Sequence, residues 1–120
     1  MKKFISLPYI FVMVLSLMLV GCQGGETIKI GTLLDKTGDL GSYGPPMEVG
    51  ADLAIKLLQD AGMDIVKVPG DSGTANQKSI AEATRLIDIE GVDAIVGSLS
   101  SGVTMATAIA VTIPKNIPIM

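Results

Sequence analysis

The chain has 120 residues, with nine Lys and Arg against twelve Asp and Glu, a formal charge of −3. It contains no His and one Cys. Those counts exclude imidazole acid–base chemistry, nearly every zinc site and an internal disulfide, and they leave no basic patch to hold nucleic acid.

Lys2 and Lys3 precede an apolar run over residues 5–20, too short and too early for an ordinary spanning helix but of the form of a secretory signal peptide. Leu19-Val20-Gly21-Cys22 closes the run, with small Gly21 suited to cleavage. That tetrapeptide resembles the lipobox of prokaryotic lipoproteins. The resemblance implies removal of residues 1–21, a diacylglyceryl group on the Cys22 thiol, and a lipid anchor on the extracytoplasmic side of a membrane. Residues 22–26 then read as the lipidated cysteine and a short polar tether. Loss of Lys2 and Lys3 leaves seven cations against twelve carboxylates, a mature charge near −5. A mature chain of about one hundred residues suffices for one compact domain.

From Thr27 onward the pattern alternates strand and helix. Ile28 and Ile30 alternate with Thr27 and Lys29, and the run turns apolar on both faces through Leu33 and Leu34, as in a strand at a sheet centre. Pro45 or Pro46 opens a helix whose stripe is Met47, Ala51, Ala54, Ile55 and Leu58, with Gly62 as its stop. Ile65, Val66 and Val68 make a short second strand. Thr74 and Gln77 have the spacing of a capping box, which predicts a second helix with Ile80, Ala83, Thr84 and Ile87 inward and Gly91 at its end. Residues 93–96 form the third strand. Ser100 or Ser101 caps a third helix with Met105, Ala108, Ile109 and Thr112 inward, until Pro114 and Asn116 break it. Residues 117–120 begin a fourth strand. This β-α-β-α-β-α-β order with short connections predicts an α/β fold, a doubly wound parallel sheet of strand order two-one-three-four.

In such a sheet a ligand sits beyond the carboxyl ends of the strands, where the strand order reverses. The candidate loops are Gly38-Asp39-Leu40-Gly41-Ser42-Tyr43-Gly44 and Gly97-Ser98-Leu99-Ser100-Ser101-Gly102. Ser98, Ser100 and Ser101 offer hydroxyls, and the amides at a helix start favour a carboxylate or phosphate oxygen. The same serines equally suit helix capping with no ligand. Tyr43 is placed either to wall a pocket or to pack over its own loop. A dinucleotide site with Asp64 or Asp71 as the ribose acid is rejected, because the glycines run G-x-x-G-x-x-G and Pro45 and Pro46 remove two amide donors. Asp35, Asp39 and Asp71 lie near strand ends without a recognisable nucleophile and base, so they read as turn and loop carboxylates rather than a hydrolase centre. No cofactor, metal or enzymatic activity is indicated.

Taken in order, Ile28-Lys29-Ile30-Gly31, Thr37-Gly38, Ser42-Tyr43-Gly44, Gly50-Ala51, and Val92-Asp93-Ala94-Ile95-Val96-Gly97 with Ser100-Ser101 resemble the amino-terminal lobe of the type I periplasmic binding proteins. The similarity is to the leucine/isoleucine/valine-binding and amide-binding receptors of ABC importers, and it runs over residues 27–120. It implies a two-lobed protein that closes on a small-molecule solute, partnered by ABC permease subunits and catalysing nothing. It further implies that Ser101 holds a ligand carboxylate, with Ser100 and Ser98 beside it, and that Tyr43 lines the side-chain pocket. Asp35 and Asp39 stand where many relatives have proline, and residues 62–71 form a shorter segment than usual. Members of that family are longer and carry a second lobe, so the chain reads as an incomplete first lobe. The runner-up is the sensor domain of a signalling receptor of the same fold; cleavage at Cys22 argues against it by leaving no spanning segment.

Overall fold

The computed structural model describes residues 25–120. The proposed signal, Cys22 and the first two tether residues lie outside them. Among the described residues no helix is long and apolar enough to cross a membrane.

Three parallel strands, β1 (Ile28–Leu34), β2 (Ile65–Asp71) and β3 (Ala94–Gly97), form a sheet of order β2-β1-β3. Ile28 opposes Ile65 and Leu34 opposes Asp71 on one side of β1; Ile30 opposes Ala94 and Leu33 opposes Gly97 on the other. All three strands therefore end at one edge. Residues 117–120 lie along the outer side of β3, with an isolated bridge from Ile95 to Ile119 in place of the fourth strand expected. Three backbone hydrogen bonds hold them there, including one from the Gly97 amide to the Met120 carbonyl at 2.7 Å.

Helix α1 (Gly44–Asp60) carries Pro45 and Pro46 in its first turn, where missing amide donors cost no helical hydrogen bond. Gly62, at φ +91°, follows its last turn. Its expected apolar stripe is not buried: Met47 is half-exposed, and Ala54 and Leu58 are open to solvent. Ala51, Ala54, Ile55 and Leu58 instead line an apolar cleft of about 280 Å³ against Ile30 and Ile65 of the sheet.

The second strand is longer than expected and runs through Pro69. As an outer strand it tolerates the missing donor, and the Pro69 carbonyl accepts from Arg85 at 3.0 Å. Helix α2 spans Asn76–Asp88, but the expected capping box is absent. Ala75 occupies the cap position, and Thr74 sits at φ +56° with its polar atoms engaged elsewhere. The buried face of α2 is Ser79, Ala83 and Leu86, with Ile80 and Ile87 packed beside it, so Leu86 replaces Thr84 at the centre of the inward set.

The third helix departs from expectation at Met105 and Ile109, while Thr112 is buried as expected. Helix α3 (Ser101–Thr107) runs into a π-helical turn (Ala108–Thr112) and a final turn, α4 (Ile113–Lys115). Val103, Thr107, Val111 and Thr112 face inward, whereas Met105 and Ile109 are about two-thirds exposed. One buried contact on the inward face is polar. Thr107 meets Ser79 hydroxyl to hydroxyl at 2.7 Å and donates back to the Val103 carbonyl at 2.9 Å, which allows both residues to be fully buried. The π turn also lets the helix continue past Pro114; Asn116, left-handed at φ 57°, ends it. The core lies on this side of the sheet, built from Leu33, Ala83, Leu86, Val92, Ile95 and Val111.

Candidate functional site

The loops that follow β1, β2 and β3 converge at the carboxyl edge of the sheet, and carboxylates tie them together. Asp35 is fully buried directly after β1. Its Oδ1 accepts the Thr74 amide of the β2–α2 loop, and its Oδ2 accepts the Leu99 amide of the β3–α3 loop, each at 3.1 Å. Thr74 in turn accepts the Leu40 amide of the first loop through Oγ1 at 3.0 Å.

Asp71, the last residue of β2, is a second hub. Its Oδ1 accepts the amides of Lys36, Thr37 and Gly73 at 2.9, 3.2 and 3.0 Å, and its Oδ2 accepts from the Thr37 hydroxyl and the Lys78 ammonium. Burial alone would push this carboxyl up, but the bonds from Lys78, Thr37 and the loop amides hold it well below the usual carboxylate range. Glu48 of α1 is a comparable hub in the neighbouring layer. Burial opposes its ionisation, while Lys36, Lys67 and the Thr32 hydroxyl hold its carboxyl below the ordinary value. Asp35 and Asp71 are thus hubs rather than the ordinary turn carboxylates expected; the local hint for Asp35 is a charge directly after the apolar pair Leu33-Leu34.

Gly97 allows the third loop to start close against the first strand. At φ +121° it sits where an added Cβ would stand 2.2 Å from the Leu33 carbonyl oxygen, a distance no side chain tolerates.

The four candidate ligand residues fall into two groups. Ser98 is spent within its loop: its hydroxyl donates to the Ser100 carbonyl at 3.1 Å and pairs with the Thr104 hydroxyl at 3.2 Å, and its amide donates to that same hydroxyl at 3.1 Å. Ser100 is the cap residue of α3, yet its side chain makes no capping bond; its carbonyl accepts the Thr104 amide at 2.9 Å. Ser101 opens the helix and is exposed. Tyr43 precedes α1 and is 60% exposed, so its ring is not packed away over its own loop. Ser101 and Tyr43 therefore stand open, with Ser100 half-buried, on loops that the Asp35 bridge joins. Neither the cleft beneath α1 nor the open recess against Lys36, Pro45 and Glu48 includes them. Among the described residues no group of three or more acidic or Cys side chains is placed to hold a metal ion.

The family model described as periplasmic binding protein matches residues 27–120. The Leu/Ile/Val-binding protein homolog 7 of Brucella abortus (strain 2308) is 38% identical over 85 residues, covering 68% of this chain and 21% of its own. A branched-chain amino acid transporter substrate binding protein from Streptococcus pneumoniae, solved in complex with isoleucine, superposes with a TM-score of 0.71 at 30% identity, over 78% of this chain and 28% of that one. A solute binding protein of an ABC transporter from R. palustris, solved in complex with benzoate, gives 0.68 at 28% identity, over 78% and 26%. The chain thus spans about a fifth of the length of the curated relatives it matches.

Proposed function

The chain belongs to the periplasmic binding protein family, and from that premise we propose that residues 27–120 are a portion of the first lobe of a receptor delivering a small carboxylate-bearing solute to an ABC importer. Family membership makes it a solute-binding protein rather than an enzyme, and implies an extracytoplasmic location. A branched-chain amino acid is the favoured solute, given the similarity to Leu/Ile/Val-binding relatives. A related small amide is the alternative within the same class.

One observation carries the reading. The start of α3 presents exposed Ser101 and the unspent Ser100 side chain on a loop tied to the first loop, which carries exposed Tyr43. Isoleucine and benzoate, the ligands of two similar proteins, share a carboxylate and an apolar body. The amides ahead of Thr104 suit the carboxylate, and Ser101 adds a hydroxyl to it; Tyr43 suits the apolar portion. Ser98 braces the loop from within. Permease subunits are the partners, and Cys22 with the tether that follows it is the membrane anchor.

Calorimetric titration of a receptor carrying this lobe with isoleucine, leucine, valine and benzoate tests the proposal. Ser101→Ala is expected to weaken binding about ten- to a hundredfold, the equivalent of one hydrogen bond to a charged group. Weakening by Ser98→Ala alone would overturn the assignment of the serines, and binding of none of the four would overturn the solute class.

A further inference from the structure

We propose that Asp35 is a positioning residue, a buried carboxylate latch that sets the serine loop against the rest of the carboxyl edge so that Ser100 and Ser101 face the solute. The functional half of this statement rests on the solute-site reading; the latch itself does not.

The geometry points to a latch in three ways. First, Asp35 is fully buried, and its partners are backbone amides: among the described residues no Lys or Arg forms a salt bridge with it. A buried carboxylate is costly unless its oxygens are bonded, and the Thr74 and Leu99 amides engage one oxygen each. Second, those amides lie on two different loops, 39 and 64 residues further along the chain, so a single side chain fixes their separation. Third, the Leu99 amide lies inside Ser98-Leu99-Ser100-Ser101, between the serine that braces the loop and those that are free. The turn around Leu99 is held by Ser98 and by Thr104 of the helix that follows, and among the described residues Asp35 is the only side chain from beyond that loop and helix that hydrogen-bonds it. Losing that bond would free the turn to move as a unit while leaving its internal bonds intact.

Asparagine in place of Asp35 keeps one acceptor oxygen but turns an NH₂ toward the second amide, donor against donor, so it can hold one loop and not both. Alanine holds neither. Amide hydrogen exchange followed by NMR reads this directly on the chain. In the unaltered protein the Thr74 and Leu99 amides should be protected to a similar degree, because one carboxylate holds both. In Asp35→Asn one of the two should exchange about tenfold faster or more, and in Asp35→Ala both should, while core amides such as Ala83 and Leu86 keep their rates. A uniform acceleration of every amide would mean that Asp35 serves only global stability, and the latch would be rejected. Rapid exchange at Leu99 in the unaltered protein would reject it without any variant, which covers the case in which the alanine variant does not fold. Isoleucine titration supplies the functional arm: Asp35→Asn should weaken binding less than Asp35→Ala, at a temperature where both are folded. Unchanged affinity with a mobilised Leu99 amide would remove the positioning role and keep the latch. Absence of binding in the unaltered receptor would instead count against the solute reading.

Discussion

The hydroxyls of Ser79 and Thr107 meet at 2.7 Å between α2 and α3, with neither residue reached by solvent. Each is the other's partner, and the pair lies on the side of α3 that faces the core. Replacing Thr107 by Val keeps the shape but strands the Ser79 hydroxyl, at a cost of about 1 to 3 kcal/mol. Ser79→Ala combined with Thr107→Val removes both polar groups, so the double variant is expected to be more stable than Thr107→Val alone. Urea unfolding of the unaltered protein, the two single variants and the double variant checks the order; a double variant that loses the full sum of the single changes would show that the pair is not coupled.

Acid should loosen the loop edge through Asp71. Its carboxyl is held below the ordinary value near 3.9, so the stability it contributes is complete above that value and is lost as pH falls toward the depressed folded-state value. Glu48 acts with the same sign. Melting temperature measured from pH 6 down to pH 2 is expected to fall along an acid limb, and Asp71→Asn is expected to flatten that limb. An Asn variant that follows the same slope as the unaltered protein would place the acid sensitivity elsewhere.

Two glycines separate conformational need from mere tolerance. Gly97→Ala must fit a methyl group 2.2 Å from the Leu33 carbonyl oxygen at a positive φ, and should lose about 2 kcal/mol or more. Gly50 lies within exposed α1 with nothing near its absent Cβ, so Gly50→Ala should gain about 0.5 to 1 kcal/mol. Denaturant midpoints report both, and a stable Gly97→Ala variant would contradict the close approach of β3 to β1.

Cys22 is expected to carry lipid after cleavage behind Gly21. Labelling cells with a radioactive fatty acid should mark the unaltered protein and not Cys22→Ala, which should also leave the membrane fraction. Equal label in the two would remove the anchor from the proposal.

Strand β1, the proline-led start of α1, the helix over Asn76–Asp88 and the parallel order of the sheet were all legible in the chain, because each depends on local periodicity or on the fixed geometry of Pro and Gly. The two loops at the carboxyl edge were legible for the same reason, since parallel strands with short crossovers end together. Helix rotation was not. The stripe through Met105 and Ile109 is as apolar as the one through Val103 and Val111, and what separates them, the Ser79 hydroxyl and the core against which Val111 packs, belongs to other elements. Nor could the sequence reveal that Thr74 caps nothing, because two of the groups that engage it, Asp35 and Leu40, lie 39 and 34 residues away, with Ser72 the one local partner. Asp35 is the clearest case. In the chain it is one acid after an apolar run, no different from a turn residue; what makes it a hub is burial beside two amides whose positions exist only once three strands have aligned.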